Sequence, residues 1–248
     1  MSASANVIRT IAKRELTSYF VSPVAYVFLV IFLLMAGFFT FAAGGFFERG
    51  EASLASFFTW QPWLFLILVP AIGMRVWSEE RRSGTIELLL TMPVATWQAI
   101  VAKFLASWLF LAIAIALTFP VVVTANLLGS PDNGQILAGY LGSLFLAGAY
   151  LAVTCMTSAM TRNQVVALIL SVVILLFLVL AGYGPVTSLL ARWAGPALVD
   201  TVAAFSVMTH FEGFQRGVID SRDLIYFLSV IGFSLFTTGV VIRSHRAG

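Results

Sequence analysis

Residues that commonly carry out catalysis are scarce in this chain, and none of them stands in a catalytic spacing. The two histidines, His210 and His245, do not form the H-E-x-x-H pattern of a zinc protease, and no G-x-S-x-G nucleophile motif occurs. The two lysines, Lys13 and Lys103, each follow an alanine, so the chain lacks the G-K-[ST] loop that binds nucleotide phosphates. The single cysteine, Cys155, cannot form a disulfide within the chain or a metal cluster. We therefore predict a protein that is not an enzyme and that binds no cofactor or metal itself.

The stretch from residue 75 to residue 93 has the composition of a binding segment. A dense cluster of charges is followed by an apolar run, and Ser83 or Gly84 is suited to cap a short helix at the junction. Glu87 would lie in the first turn of that helix, where a carboxylate favours the positive end of the helix dipole, and Pro93 would end it. Such a helix fits the groove of a partner protein, but an ordinary charged loop that only fixes topology is an equal alternative. The exposed apolar side chains of the helix would be Ile86, Leu89 and Leu90.

The distribution of charge indicates which elements would present this stretch. Of the 248 residues, 60% are hydrophobic and only 10% are charged, against about 25% charged in a soluble domain. Six windows of at least 19 residues contain no Asp, Glu, Lys or Arg, and about 20 apolar residues cross a membrane as a helix. The windows do not alternate in polarity as barrel strands would, so we predict an all-α polytopic membrane protein with six transmembrane helices. The predicted spans are residues 24–46, 57–74, 99–127, 139–160, 164–182 and 224–242.

The lysines and arginines indicate how the six spans are oriented. With the N-terminus inside, ten of them lie in cytoplasmic segments and four in outside segments, which agrees with the positive-inside rule. We therefore predict cytoplasmic N- and C-termini, and we attribute the net charge of +3 to this bias and not to nucleic-acid binding. The ten are Arg9, Lys13, Arg14, Arg75, Arg81, Arg82, Lys103, Arg162, Arg243 and Arg246; the four are Arg49, Arg192, Arg216 and Arg222.

Residues 4–20, ahead of the first span, have the pattern of an amphipathic helix. Apolar side chains such as Ile8 and Leu16 fall on one side, and basic ones such as Arg9 and Lys13 fall on the other. We expect this helix to lie in the membrane interface with its basic side toward the lipid headgroups. A short solvated connection to the first span is the alternative.

The charge-free spans also bear on the energy source. Ionisable residues deep in a membrane usually mark ion or proton pathways, and the six windows contain no Asp, Glu, Lys or Arg. We expect Lys103, near the cytoplasmic end of the third span, to extend its ammonium outward to water. This pattern disfavours a carrier driven by an ion gradient and favours an external energy source.

The charged stretch after the second span resembles the hallmark of ABC type-2 exporter permeases. In that family the corresponding segment, residues 79–93 here, is a coupling helix that docks into a separate P-loop ATPase subunit, and that subunit binds ATP and Mg²⁺. The resemblance extends over nearly the whole chain and includes the tight inside turn at Arg162, which it implies as a second contact with the ATPase. The residues that carry the hallmark are Glu79, Glu80, Arg81, Gly84, Thr85, Glu87, Leu88, Leu89 and Pro93.

The outside segment, residues 183–223, contains a second pattern before the last span. The run H-F-x-x-F-x-x-G-x-I-D-x-R-D is similar to permeases of the gliding-motility and nitrous-oxide-reductase-maturation group. In the wider family, two short re-entrant helices here dip partly into the outer leaflet. His210 and Asp220 have donor atoms for a metal or a partner, but capping of helices is the more ordinary role, and we assign no metal. The residues of this outer-face motif are His210, Phe211, Phe214, Gly217, Asp220 and Asp223.

The resemblance implies the permease subunit of an ATP-driven exporter in a bacterial inner membrane. Two copies, or this chain and a similar one, would enclose the transport path, driven by the ATPase subunits, and an accessory subunit on the outer face is a further expectation. A membrane scaffold that anchors a partner complex without transporting anything is the alternative. The whole chain, residues 1–248, would form one transmembrane permease domain.

Overall fold

A computed structural model describes residues 3–48, 53–86, 94–193 and 195–244, and within these ranges the chain is helical with no strand. The predicted N-terminal helix is present, and most helices are joined by connections of only a few residues. In chain order the helices are α1 (Ala3–Val21), α2 (Pro23–Phe38, continued by a π-helical turn Phe39–Ala43), α3 (Ala55–Gly73), α4 (Arg75–Ser83), α5 (Thr96–Ala116), α6 (Phe119–Leu128), α7 (Asn133–Met160), α8 (Gln164–Leu180), α9 (Gly184–Leu190), α10 (Pro196–Ala204), α11 (Val207–Gln215) and α12 (Ser221–Ser244).

Five helical segments of the described chain are long and apolar enough to cross a membrane. Helices α8 and α9, bent by 72° at a short break, supply a sixth if the pair is counted as one span. This confirms the predicted all-α polytopic fold. The five are Pro23–Ala43, Ala55–Ser83, Thr96–Leu128, Asn133–Met160 and Ser221–Ser244.

The third span is broken, which the charge-free window did not indicate. Helix α5 ends at Ala116, and α6 begins at Phe119 with Pro120 in its first turn. A proline has no N–H to donate and its ring excludes the carbonyl one turn back, so it suits a helix start and disrupts a helix interior. In contrast, α3 remains one helix despite Pro62 and Pro70, because other polar groups in a membrane protein can compensate for the freed carbonyls.

Helix α7 forms the centre of the bundle. It contacts α3, α4, α5, α8, α11 and α12, and it is the most buried of the candidate spans. Small residues allow the close approach: a Cβ on Gly139 would lie 2.5 Å from the Phe58 ring, and one on Gly73 would lie 2.7 Å from Thr154. These pairs show that α3 and α7 run parallel, as a second and a fourth span must. Glycine at such contacts is typical of membrane helix packing.

The two ends of the bundle differ in charge. Of the Lys and Arg residues that the structure describes, nine lie in or beside α1, α4, the first half of α5, the α7–α8 turn and the end of α12; we call this the basic end. The remaining three, Arg192, Arg216 and Arg222, lie at the opposite end. The charge asymmetry that indicated the orientation is thus a property of the folded bundle.

Candidate functional site

The E-E-R motif, Glu79-Glu80-Arg81, lies in α4, which continues α3 after a single residue. A helix start leaves N–H groups without partners, and the side chain of Met74, the residue before α4, cannot cap them. The cap comes instead from α7. The Ser158 hydroxyl oxygen accepts from the backbone N–H groups of Trp77 and Ser78 at 3.1 and 3.0 Å and donates to the Met74 carbonyl at 2.7 Å. Helix α4 is therefore held in place by a residue about 80 positions away.

Gly84 ends α4 and lies directly before the next helical residues, at the place where the sequence predicted a helix start at Ser83 or Gly84. Gly84 has a φ of +73°, the left-handed conformation that often terminates helices at glycine. The Ser83 hydroxyl donates back to the Glu79 carbonyl at 2.9 Å, as part of the last turn of α4. The chain turns helical again at Thr85, and Ile86 packs against the core instead of being exposed. The predicted coupling residues Glu87, Leu88, Leu89 and Pro93, together with Leu90, lie outside the described residues.

The three residues of the E-E-R motif point to three different partners. Glu79 forms an exposed pair with Arg75, 3.0 Å from its Nε atom. Glu80 turns into the protein and contacts the Lys103 ammonium at 2.8 Å. Arg81 donates to the backbone carbonyl of Ala159, near the end of α7. Each residue of the motif therefore makes an ion pair or a hydrogen bond with another residue of the chain.

Lys103 does not extend outward to water, contrary to our expectation. Its side chain is only 5% exposed, and its ammonium lies 3.0 Å from Glu15 and 2.8 Å from Glu80. The Trp77 ring is 5.6 Å away on another side. An ammonium can leave water in this way because the two carboxylates satisfy its charge and its donors. The ion cluster joins α1, α4 and α5.

Helix α1 packs along the first half of α5, in the same direction. Near the start of both helices, the amide of Gln98 donates to the Ser4 hydroxyl at 2.8 Å. Near the end of α1, the Tyr19 and Ser107 hydroxyls are hydrogen-bonded at 2.8 Å. Burial raises the pKa of Tyr19 to about 12, so this phenol stays a neutral donor. The opposite side of α1 is exposed and carries Asn6, Arg9, Thr10, Lys13, Arg14, Thr17 and Ser18. The apolar side of the predicted amphipathic helix therefore faces protein.

A cavity of about 250 Å³ lies between the end of α1, the start of α2, the end of α3, the first turns of α4 and the middle of α5. The Glu15–Lys103–Glu80 cluster forms part of its wall, and the exposed pair of Arg75 and Glu79 forms another part. The three carboxylates and two cations that line the cavity have a formal net charge of −1. The ion cluster is therefore accessible from the basic end although Lys103 itself is buried.

Arg162 lies in the tight turn between α7 and α8, beside the E-E-R motif. Asn163 caps α8, accepting from the N–H groups of Val165 and Val166. Arg81 contacts Ala159 just before the turn, and the charge of Arg162 is close enough to act repulsively on Arg81. The structure thus brings together two segments that the sequence separates by about 80 residues, and it leaves two neighbouring guanidinium groups at the basic end.

The outer-face motif lies at the opposite end and organises the chain between α8 and α12. Three short helices, α9 to α11, stand where two were expected. Phe211 and Phe214 of α11 are fully buried, while the exposed side chains of α9 and α10 include Leu189 and Leu198. Helix α11 is therefore the part of this segment that closes the end of the bundle.

The polar residues of this motif have hydrogen-bond partners in the helices around them. His210 lies with Nδ1 2.8 Å from Asp223 and Nε2 3.0 Å from the Ala204 carbonyl, and its ring stacks on Tyr226. The Asp220 carboxylate accepts from the Arg222 N–H at 2.9 Å at the start of α12, and Gly217 turns the chain with a φ of +83°. Within the described ranges, no three His, Cys, Asp or Glu side chains come together as metal ligands do. The motif acts here as a structural unit.

Two glutamines that the sequence analysis did not select tie α11 to the bundle. Gln135 of α7 donates through Nε2 to the Gln215 carbonyl at 2.6 Å. Gln215 in turn reaches the Phe58 carbonyl at 3.4 Å, and this carbonyl is the one that Pro62 cannot bond. Gln215 lies one helical turn after the buried Phe211, and this spacing was the available indication that it faces the bundle. Nothing in the sequence shows which residue it contacts.

Replacing Gln135 with alanine should lower the stability of the protein by about 1 kcal/mol, because it removes one partly buried hydrogen bond and the donor to the Gln215 carbonyl. Thermal unfolding of the purified protein in detergent measures the change. Glu212→Ala is the matched control, since Glu212 is exposed and its ion pair is with Arg216, the exposed residue that follows α11. Equal stability of the two variants would contradict the proposed anchoring of α11.

The fold and the site define a multi-pass helical membrane protein. At its basic end, the short helix α4 contacts the end of α7, next to the tight α7–α8 turn. The sequence profile of the family described as ABC-2 family transporter protein matches residues 9–212. The chain belongs to the ABC-2 transporter family and is a membrane permease subunit of an ABC transporter, which is not itself catalytic. Membership implies association with an ATP-binding subunit. No curated protein matches the chain.

Proposed function

We propose that this protein is the permease subunit of an ATP-driven exporter in a bacterial cytoplasmic membrane, with both termini on the cytoplasmic side. Two copies, or this chain and a similar one, form the transport path between them. Separate P-loop ATPase subunits, which bind ATP and Mg²⁺, dock at the basic end on residues 79–93 and on the turn at Arg162. The observation that carries the proposal is the contact between Arg81 and Ala159, which joins these two segments at one end of an ABC-2 bundle.

The contacts of α4 support a mechanical role for it. Ser158 and Arg81 hold α4 against the end of α7, and α4 directly continues α3. A push on residues 79–93 would therefore act on α3 and α7 together. These parallel helices meet at glycine contacts and would move as a pair, as packed elements do when domains rock or slide. Closure of the ATPase subunits would in this way rock the spans.

The lack of charged residues in the apolar windows also favours an energy source outside the membrane, such as a separate ATPase subunit. The apolar windows that supply their middles contain no Asp, Glu, Lys or Arg, so an ion gradient has little to act on there. Lys103, which lies within α5, is already neutralised by Glu15 and Glu80 near the basic end. Force from outside the membrane is the remaining route for energy.

At the opposite end, we propose that α9 to α11 cover the exit of the transport path and offer a surface for an accessory subunit. Trp193, between α9 and α10, is 92% exposed, and Phe205, after α10, is 64% exposed. Apolar side chains in this position suit the outer leaflet or a protein partner. The similarity of the His210–Asp223 run to permeases of gliding motility and nitrous-oxide-reductase maturation supports this part of the proposal.

The coupling proposal predicts the effect of reversing one charge. Glu87→Lys should reduce the amount of ATPase subunit that co-purifies with the permease by about tenfold, because losing one charged contact of about 1.4 kcal/mol changes a dissociation constant by that factor. Affinity purification from the native membrane, followed by identification of the retained subunits, measures this. Glu48→Lys makes the same charge change on an exposed residue of the opposite end and should leave co-purification unchanged.

Two outcomes would count against the proposal. Unchanged co-purification and unchanged ATP-dependent activity of the Glu87→Lys complex would exclude this segment as the coupling contact. Purification of the parent chain with other membrane proteins but without any P-loop ATPase would favour a membrane scaffold instead.

A further inference from the structure

The Glu15–Lys103–Glu80 cluster joins two elements that have separate roles in the proposed mechanism. Helix α1 rests on α5 along its length, while α4 carries the E-E-R motif and is fastened to α7. The Lys103 ammonium lies between them, with one carboxylate from each: Glu15 of α1 at 3.0 Å and Glu80 of α4 at 2.8 Å. A single side chain of α5 therefore bridges α1 and α4.

The setting makes this bridge stiff. Lys103 is 5% exposed, and the exposed fractions of Glu15 and Glu80 are 22% and 19%. Charges shielded from water interact more strongly than exposed ones, and removing one member leaves the others buried without their partner. Displacing α4 alone would have this effect, since it would withdraw one of the two carboxylates from the ammonium. Moving α1 and the Lys103 region of α5 together with α4 keeps both contacts.

We propose that Lys103, Glu15 and Glu80 are positioning residues that couple α1 to the E-E-R motif, so that α1 moves with α4 during the ATP cycle. The inference rests on the proposed function, because the force on α4 is taken to come from the ATPase subunit. Helix α1 then takes part in the transport cycle, and its exposed basic side moves along the membrane surface. The basic side chains on this exposed side of α1 are Arg9, Lys13 and Arg14.

The test compares a variant that lacks only Lys103 with a variant in which all three charged residues of the cluster are replaced. Lys103→Met alone leaves two carboxylates facing each other and should lower the thermal stability of the complex. The triple variant Glu15→Gln, Lys103→Met, Glu80→Gln leaves no buried charge without an oppositely charged partner, so it should recover most of that stability. Lys103→Arg keeps the charge and should behave as the parent protein.

The decisive readout is the distance between α1 and α4 in the complex with its ATPase subunit. Spin labels on Thr10→Cys and Arg82→Cys, two exposed positions of these helices, report it with Cys155 replaced by alanine. In the parent protein the distance should be the same without nucleotide and with ATP trapped by vanadate. In the triple variant it should change by several ångströms on trapping, although the protein is stable. A role in stability alone predicts the same behaviour in both proteins, and that result would overturn the proposal.

Glu15→Gln alone gives the same test if the triple variant does not fold. It frees the α1 side and keeps the pair of Lys103 and Glu80, so the distance should again vary with nucleotide, and an unchanged distance would overturn the proposal. These failures differ from failure of the proposed function, in which no ATPase subunit would co-purify with the parent chain.

Discussion

Replacing Gly142 with valine should leave little folded protein, because α11 could no longer seat on α7. A Cβ at this position would lie 2.5 Å from Phe214 Cβ and 3.1 Å from the Phe211 ring, and both phenylalanines are fully buried. Inserting carbon atoms into a packed core costs about 1–3 kcal/mol, and more where the neighbour is held on both sides. We expect a loss of at least about 3 kcal/mol, seen as aggregation on size-exclusion chromatography and a lower unfolding temperature.

Gly232→Val is the matched control for this prediction. Gly232 also lies inside a membrane helix, α12, but a Cβ there would meet no atom within 4 Å. The two substitutions have the same effect on helix propensity, so a difference between them reports packing. If Gly142→Val were as stable as Gly232→Val, the seating of α11 on α7 would be wrong.

Replacing Ser158 with alanine should have a comparably large effect at the other end. The substitution removes the partner of two N–H groups at the start of α4 and one donor to the Met74 carbonyl. Ser158 is fully buried, and each buried polar group left unsatisfied costs about 1–3 kcal/mol, so we expect a loss of about 3 kcal/mol and weaker retention of the ATPase subunit. Thermal unfolding and co-purification measure the two effects.

Two variants separate the cap from other effects of the substitution. Ser158→Thr keeps the hydroxyl and should retain most of the stability. Ser143→Ala removes an equally buried hydroxyl of α7, but this one bonds only the Gly139 carbonyl of its own helix, so its loss should be small. A Ser158→Ala variant no less stable than Ser143→Ala would show that α4 does not depend on its cap from α7.

Most of the fold could be predicted because a membrane imposes a simple rule on the sequence. Charges are excluded from lipid-facing helices, so windows without them locate the spans within a few residues. The interruption between α5 and α6 contains no charge, and Leu117 and Thr118 are as compatible with a helix as their neighbours. Pro120 indicated a kink in this span, but Pro62 and Pro70 gave the same indication inside α3, which stays one helix. The end of α4 at Gly84 was missed because a glycine suits the start and the end of a helix alike.

The candidate site was less predictable, because its contacts join distant parts of the chain. Lys103 and Glu15 are 88 residues apart, and Ser158 lies 81 residues from Trp77. In the sequence, a lysine near the end of an apolar run indicates a side chain that reaches water, and a serine in such a run indicates nothing in particular. Only the packing of α1, α4, α5 and α7 gives these side chains their partners.

The outer-face motif shows the same difference on a smaller scale. Its spacing singled out Phe211, Phe214 and His210 as one group, and they do lie on one helix. The sequence does not tell that the phenylalanines fill the core while the histidine is paired with Asp223 of the next helix. A pattern of residue types therefore indicated a unit, and the side-chain environment determined what each member does.

The cap that Ser158 supplies to α4 also bears on the order of events during synthesis. The ribosome completes α3 and α4 about 80 residues before it reaches Ser158, so the start of α4 has no cap until the fourth span enters the membrane. Until then the E-E-R motif lies on a helix that lacks its contacts with Ser158 and Ala159 of α7. A chain interrupted before α7 is inserted would therefore carry the E-E-R motif on a helix whose start is not yet capped.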